Sequence, residues 1–215
     1  MPLELTPRAR AARTSPIRSM TAECARVGGI NLAQGVCDTP VPEPVRRAAQ
    51  SAIEEGANSY SRSEGLPELR RALAAKMRRD DLLDYDPDSE IVVTSGATGA
   101  FYVVCQALFQ PGDEVILFEP YYGYHRNTLE ALGVVPRYVT LHGPDFALPL
   151  AELEIALSSR TRAIVVNTPG NPSGKVFTSW SLSWMKADAS VETTPTAMRS
   201  MACICMTASA GARPR

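Results

Sequence analysis

Residues 90–123 read EIVVTSGATGAFYVVCQALFQPGDEVILFEPYYG, and this stretch decides the fold. Residues 90–94 are a short β-branched segment, which predicts a strand. Residues 97–109 are mostly apolar and predict a helix that ends at the turn QPGD, residues 110–113. Residues 115–118 predict the next strand. A strand, a helix and a second strand in this order predict a parallel βαβ unit.

The segments on either side continue this alternation of helices and strands. Further strands are predicted near residues 137–141 and 163–167, and further helices at 42–56, 65–79, 125–132 and 149–157. Proline near a helix start and glycine after a helix end support these bounds. The sequence therefore predicts an α/β protein of three layers, α/β/α, with a mostly parallel sheet.

Ligands of such sheets bind beyond the carboxyl ends of the strands. The residues that directly follow each predicted strand therefore carry the functional information. They are SGATG at 95–99, EPYYG at 119–123 and TPGNPSG at 168–174.

Composition excludes several classes of partner. The 22 Lys and Arg residues nearly balance the 23 Asp and Glu residues, which argues against a nucleic-acid surface. Apolar runs are only strand-sized, so we expect no membrane span. The N-terminal region has no apolar core of a secretory signal, and the cysteines, an odd number without CxxC spacing, suit a reducing compartment. We expect a cytoplasmic protein with a small-molecule partner, and an arginine-rich transit peptide at the N-terminus is the alternative.

Each motif alone leaves alternatives open. Residues 96–101 open a helix after a strand, where free backbone N–H groups can bind a phosphate, but they lack GxGxxG spacing. Residues 170–175 superficially resemble a Walker loop, but the glycine spacing and the missing Ser or Thr after the lysine exclude it. The Tyr122 ring can either pack or stack on a flat ligand. His125 and His142 lack a ligand-spaced partner and receive no catalytic role.

Five motifs follow one another along the chain. They are NLAQG at 31–35, Tyr60 with GLPELRRAL at 65–73, GAT at 96–98, EPYY at 119–122 and NTPGNPSG at 167–174. Taken together, these motifs resemble the class I pyridoxal-phosphate-dependent aminotransferases in order and separation. The resemblance covers about residues 25 to 178 and is closest to the branch with aspartate and kynurenine aminotransferases. It implies the large domain of fold-type I enzymes, here incomplete.

The resemblance also implies site residues and a cofactor, pyridoxal 5′-phosphate. By it, Gly96, Ala97 and Thr98 form the phosphate cradle and Tyr122 stacks on the pyridine ring. Asn171 donates a hydrogen bond to the phenolic oxygen of the ring. Tyr60 resembles the tyrosine that reaches the phosphate of the neighbouring subunit, and Gly35 lies where a backbone group meets the substrate. An active site shared across a homodimer follows. The resemblance thus implies six cofactor-binding positions and one substrate-binding position, Gly35.

Two departures from the family pattern affect the expected chemistry. Cys37 stands where the family usually has proline, although Asp38 is kept. No catalytic residue is identified, because the chain has only three lysines, Lys76, Lys175 and Lys186, and none matches the position of the lysine that forms the Schiff base in the family.

Composition also changes after Thr178. Residues 179–215 hold four of the seven methionines but only one each of Leu, Ile and Val, and no helical or strand period persists. We expect an N-terminal arm and small-domain segment at 1–35, the first half of the cofactor-binding large domain at 36–178, and a disordered tail without family character at 179–215. A reading-frame change or a truncated gene is the expected cause.

The implied activity is the transfer of an amino group between an amino acid and a 2-oxo acid, with this chain itself expected to be inactive. A pyridoxal-dependent C–S β-lyase or cyclising synthase of the same fold would share the retained motifs, so it remains an alternative. A noncatalytic fragment or binding module is a second alternative. The sequence does not identify the amino-acid substrate.

Overall fold

The computed structural model describes residues 4–11, 15–35 and 39–177 and the backbone of a strand at 202–207. The chain divides into two compact units. Unit 1 contains residues 1–15 and 101–215, and unit 2 contains residues 16–100.

Seven helices and four strands lie in the described part of the chain. The helices are α1 (Pro7–Ala11), α2 (Pro16–Arg26), α3 (Glu43–Glu54), α4 (Pro67–Asp81), α5 (Gly96–Leu108), α6 (Gly123–Leu132) and α7 (Leu150–Ala156). The strands are β1 (Glu114–Glu119), β2 (Val135–Thr140), β3 (Thr161–Thr168) and β4 (Ala202–Thr207).

Unit 1 is built on a four-stranded sheet in the order β2-β1-β3-β4, with every neighbouring pair parallel. Successive residues of β1 and β3 point to opposite faces, so each strand is buried on both sides. One face packs against residues of α5 and α6, and the other packs against α7 and Phe177. The predicted α/β class and parallel sheet are confirmed.

Two details differ from the sequence-based expectations. Residues 91–94 form no strand, and the amide of Val93 donates instead to the carbonyl of Glu64 (2.9 Å). A strand needs a neighbour for its hydrogen bonds, and no described strand lies beside this segment. Within the expected tail, Ala202–Thr207 pairs with β3 in parallel register, where we expected no regular structure. The rest of that tail lies outside the described residues.

A buried carboxylate holds the amino-terminal end of the sheet together. Glu114, at the start of β1, is 1% exposed. It accepts hydrogen bonds from the Ser158 hydroxyl (2.6 Å) and from Arg160 (2.6 Å to Nη2), and Arg137 of β2 lies 4.0 Å away. The Ser158 hydrogen bond, reinforced by Arg160, lowers the pKa of Glu114 below 4.5 although burial opposes this.

This carboxylate gives a prediction for acid stability. Because the folded-state pKa is lowered, its contribution is complete above pH 4.5 and is lost as the pH falls through the folded value. Glu114→Gln is expected to lower the free energy of unfolding at pH 7 by about 1–3 kcal/mol, the usual effect of disrupting a buried hydrogen-bonded charge. Urea unfolding between pH 3 and 7 measures it, with the exposed Glu154→Gln as control. Equal losses in both variants would contradict the prediction.

Unit 2 contains a buried arginine that joins its separate segments. Arg70 of α4 is 2% exposed. Its Nε donates to the carbonyl of Pro87 (2.6 Å), and its two terminal nitrogens lie 3.4 Å from carboxylate oxygens of Glu64 and Asp88. One side chain therefore fixes α4 against the segments before and after it. No helix among the described residues is long and apolar enough to cross a membrane.

Candidate functional site

A cleft in unit 1 lies at the carboxyl ends of β1 and β3. Its lining comes from these two strands and from the loops that follow them, including Tyr122, His125, Asn167 and Asn171. The cavity volume of the cleft is about 20 Å³. The structure thus brings together two of the three loops that the sequence identified.

Tyr122 is placed in this cleft by the junction of β1 and α6. It is the N-cap residue of α6, with extended backbone angles, and its ring meets the edge of the His125 ring at a centroid distance of 5.4 Å. Tyr121 also lines the cleft, and its ring stacks on Tyr138 of β2 (5.2 Å). Both tyrosines therefore contribute to the cleft, but their rings have different neighbours: Tyr138 of β2 for Tyr121 and His125 of α6 for Tyr122.

His125 is a cleft residue that the sequence analysis missed. It is 4% exposed, its ring packs on Phe101 (4.5 Å between centroids), and its Nε2 atom is buried without a hydrogen-bond partner among the described residues. Burial lowers the pKa of His125 to about 4, so the ring is neutral at pH 7. His125 lies four residues before the buried Leu129, a spacing that is expected for a core residue of a helix as well as for a site residue. The spacing alone therefore does not distinguish the two roles.

The loop after β3 presents Asn171 at an exposed turn. The turn is closed by hydrogen bonds from the Gly174 amide to the Gly170 carbonyl (2.7 Å) and from the Gly170 amide to the Lys175 carbonyl (2.8 Å). A Cβ atom at Gly170 would lie 2.6 Å from Ser173 Oγ, and Gly174 has a φ of +70°. A side chain at Gly170 would displace the Ser173 hydroxyl, and the positive φ of Gly174 favours glycine at that position.

The remaining predicted site residues lie in unit 2. Gly96, with a φ of +71°, begins α5, and Gly96, Ala97 and Thr98 are exposed at this helix start. First-turn N–H groups have no acceptor within a helix, which favours an anion there. Tyr60 and Gly35 are also exposed. Cys37 and Asp38 lie outside the described residues.

Two of the three lysines lie in the described chain, and both are engaged. Lys76 of α4 pairs with Asp80 (3.1 Å), and Lys175 donates from Nζ to the carbonyl of Asp145 (2.9 Å). Lys175 lies next to the turn of Asn171 but is directed at another loop. Lys186 lies outside the described residues.

Comparison with known proteins gives the family. The family model for aminotransferases of class I and II matches residues 27–185. The chain belongs to this family. The match continues past Thr178, where we expected the resemblance to end, and the proposed domain bounds at 1–35, 36–178 and 179–215 stay predictions.

Individual aminotransferases are similar over most of the chain. It is 40% identical over 177 residues to the probable N-succinyldiaminopimelate aminotransferase DapC of Mycobacterium tuberculosis (strain ATCC 25618 / H37Rv), which covers 81% of the chain and 45% of that relative. It is 37% identical over 175 residues to an aspartate aminotransferase of Geobacillus stearothermophilus, with 81% and 44% covered. The chain therefore spans about half the length of these relatives.

Solved aminotransferase structures confirm the fold-type I architecture. The N-succinyldiaminopimelate aminotransferase of Mycobacterium tuberculosis superposes with a TM-score of 0.83 at 35% identity. The superposition covers 94% of this chain and 51% of the aminotransferase chain. The methionine aminotransferase YbdL of Escherichia coli gives a TM-score of 0.83 at 30% identity, with 96% and 52% covered.

Proposed function

We propose that this chain is the amino-terminal, cofactor-binding part of a pyridoxal-phosphate-dependent aminotransferase that acts on an amino acid and a 2-oxo acid. The observation that carries the proposal is the cleft that contains both Tyr122 and Asn171. These residues lie 49 positions apart by their numbers and meet only because β1 and β3 are parallel neighbours. Membership of the aminotransferase family supports the same chemistry.

The residues present fit the cofactor chemically. The Tyr122 ring offers a face for a flat pyridine ring, and the exposed Asn171 amide can donate a hydrogen bond to a phenolic oxygen. The buried Nε2 of His125 supplies a further polar group without a described partner. When bound, pyridoxal phosphate supplies the electron sink for bond changes at the amino-acid Cα.

The remaining predicted positions lie in unit 2. The exposed start of α5 at Gly96, Ala97 and Thr98 would bind the phosphate through backbone N–H groups and the Thr98 hydroxyl. Gly35 would present its backbone to the substrate. The Tyr60 side chain is fully exposed, which leaves its hydroxyl available to a second subunit in a cytoplasmic homodimer.

Asn171 provides the most direct test of the cofactor site. Asn171→Ala is expected to weaken binding of pyridoxal 5′-phosphate by about tenfold or more, because a hydrogen bond to a charged group contributes ~1.5–3 kcal/mol. Quenching of protein fluorescence across a cofactor titration measures the affinity. Asn58→Ala, at an exposed asparagine outside the cleft, serves as control. Equal affinities of the wild-type chain and the Asn171 variant would reject this role of Asn171.

The 215-residue polypeptide itself is expected to show no transamination. Proton transfer at Cα needs a base within hydrogen-bond reach, and loss of a positioned base costs ~10²–10⁴-fold. The ammonium groups of Lys76 and Lys175 are engaged with Asp80 and with the Asp145 carbonyl, respectively. A coupled assay with several amino donors and added cofactor checks this. Turnover that disappears in Lys186→Ala would show that Lys186 is a catalytic lysine.

A further inference from the structure

The turn at residues 170–174, which carries Asn171, depends on Lys175, the residue directly after the turn. Lys175 accepts a hydrogen bond at its carbonyl from the Gly170 amide (2.8 Å), and its own amide donates to Ser173 Oγ (3.2 Å). Both contacts close the turn around Asn171. Two residues later the Phe177 amide donates to Thr168 Oγ1 (3.1 Å), which joins the two ends of the loop.

The Lys175 side chain extends these contacts to a different loop. Its Nζ donates to the backbone carbonyl of Asp145 (2.9 Å), 30 residues earlier in the chain. The four-carbon side chain of lysine is long enough to reach from one loop to the next. Its ammonium group donates the hydrogen bond, and the backbone carbonyl accepts it. The turn of Asn171 is thereby tied to a second element.

That second element is itself anchored. His142 and Ala147 form an antiparallel bridge with two backbone hydrogen bonds (2.8 and 3.2 Å), which defines a hairpin at residues 142–147. The His142 ring lies 2.7 Å from a carboxylate oxygen of Glu152 on α7. Phe146 packs against the core cluster that contains Phe118 and Phe177. Lys175 therefore connects the turn of Asn171 to a hairpin that is held in place by its own contacts.

We propose that Lys175 is a positioning residue that sets the direction of the Asn171 amide by tying its turn to the hairpin at 142–147. This proposal rests on the proposed cofactor site and assigns the lysine a role at that site other than imine chemistry. An amide donor binds well only along a narrow range of directions, so a loosened turn weakens the bond that Asn171 makes. Lys175 affects ligand binding only through Asn171 and does not itself contact the ligand.

The first experiment tests the tie without any ligand. Lys175→Met keeps most of the apolar stem and removes the donor, and Lys175→Arg keeps a donor. In amide hydrogen exchange of the full chain, Lys175→Met is expected to speed exchange at Gly170 and Gly174 about tenfold, which corresponds to about 1.4 kcal/mol. Lys175→Arg is expected to restore slow exchange, and Lys76→Met is the control. Unchanged exchange in Lys175→Met overturns the proposal.

The second experiment measures binding of pyridoxamine 5′-phosphate, an amine that does not react with lysine. Lys175→Met is expected to weaken binding about tenfold in the wild-type background and less than about twofold in the Asn171→Ala background, because the two residues act in series. Equal losses in both backgrounds would show that Lys175 acts independently of Asn171 and would overturn the proposal.

The two failures are distinguishable. If Asn171→Ala binds as tightly as wild type, the proposed cofactor site is wrong and the positioning role falls with it. If Asn171→Ala weakens binding and Lys175→Met does not, the cofactor site stands and only the role of Lys175 is overturned.

Discussion

Replacing Arg70 by alanine is expected to lower the local stability of unit 2 by about 3 kcal/mol. Its buried guanidinium donates to the Pro87 carbonyl and lies beside the carboxylates of Glu64 and Asp88. Loss of a charge-assisted hydrogen bond contributes ~1.5–3 kcal/mol, and truncation of the buried stem adds a cavity. The carboxylates of Glu64 and Asp88 are partly or largely exposed, so water can solvate them in the variant. The loss of stability is therefore smaller than when a fully buried charge is left without a partner.

Hydrogen exchange of the α4 amides in the full chain measures this effect. The neighbouring Arg71 is exposed and gives a matched control, since surface substitutions usually change stability by less than ~0.5 kcal/mol. Arg70→Met, which retains most of the stem, is expected to lie between alanine and wild type. A similar effect of Arg70→Ala and Arg71→Ala would mean that the buried contacts contribute little.

Unit 1 is expected to lose about 3 kcal/mol of stability between pH 6.5 and about 4 through His125 alone. Burial depresses the folded-state pKa of His125 from 6.5 to about 4, so the unfolded chain takes up a proton first. The contribution is complete above pH 6.5 and decreases as the pH falls, until the folded state is also protonated. A difference of about 2.5 pH units corresponds to roughly 3 kcal/mol at 1.36 kcal/mol per unit.

Urea unfolding of unit 1 across pH 4 to 7.5 measures this effect, and the pH dependence is expected to be flatter in His125→Leu than in the wild-type chain. NMR titration of the imidazole provides the second check, and a His125 midpoint near 6.5 would refute the prediction.

Part of the candidate site could be predicted from sequence because it follows from strand order. A buried segment such as Val115–Phe118 alternates sides, so its end and the residues after it have predictable positions. The structure confirms that the loops after β1 and β3 share one cleft, with Tyr122 and Asn171 on its wall. The roles of these residues toward a cofactor stay predictions, as does the phosphate cradle at Gly96–Thr98 in unit 2.

Other features could not be predicted because they depend on neighbours distant in sequence. Residues 91–94 have strand propensity but form no strand, since β-structure also requires a partner. Ala202–Thr207 shows no clear strand pattern and pairs with β3 because that strand offers a free edge. His125 was set aside for lack of a spaced partner, whereas its significance comes from burial.

The sequence by itself determined the α/β class, the helical and strand rhythm and the family, because these follow from local periodicity and from ordered motifs. Only the tertiary structure decided that Tyr121 and Tyr122 both line the cleft but contact different rings, that His125 is buried and neutral, and that Lys175 ties the Asn171 turn to a hairpin 30 residues earlier. The physical reason is that burial, desolvation and long-range hydrogen bonds arise when distant segments pack, and a linear pattern does not record which segments meet.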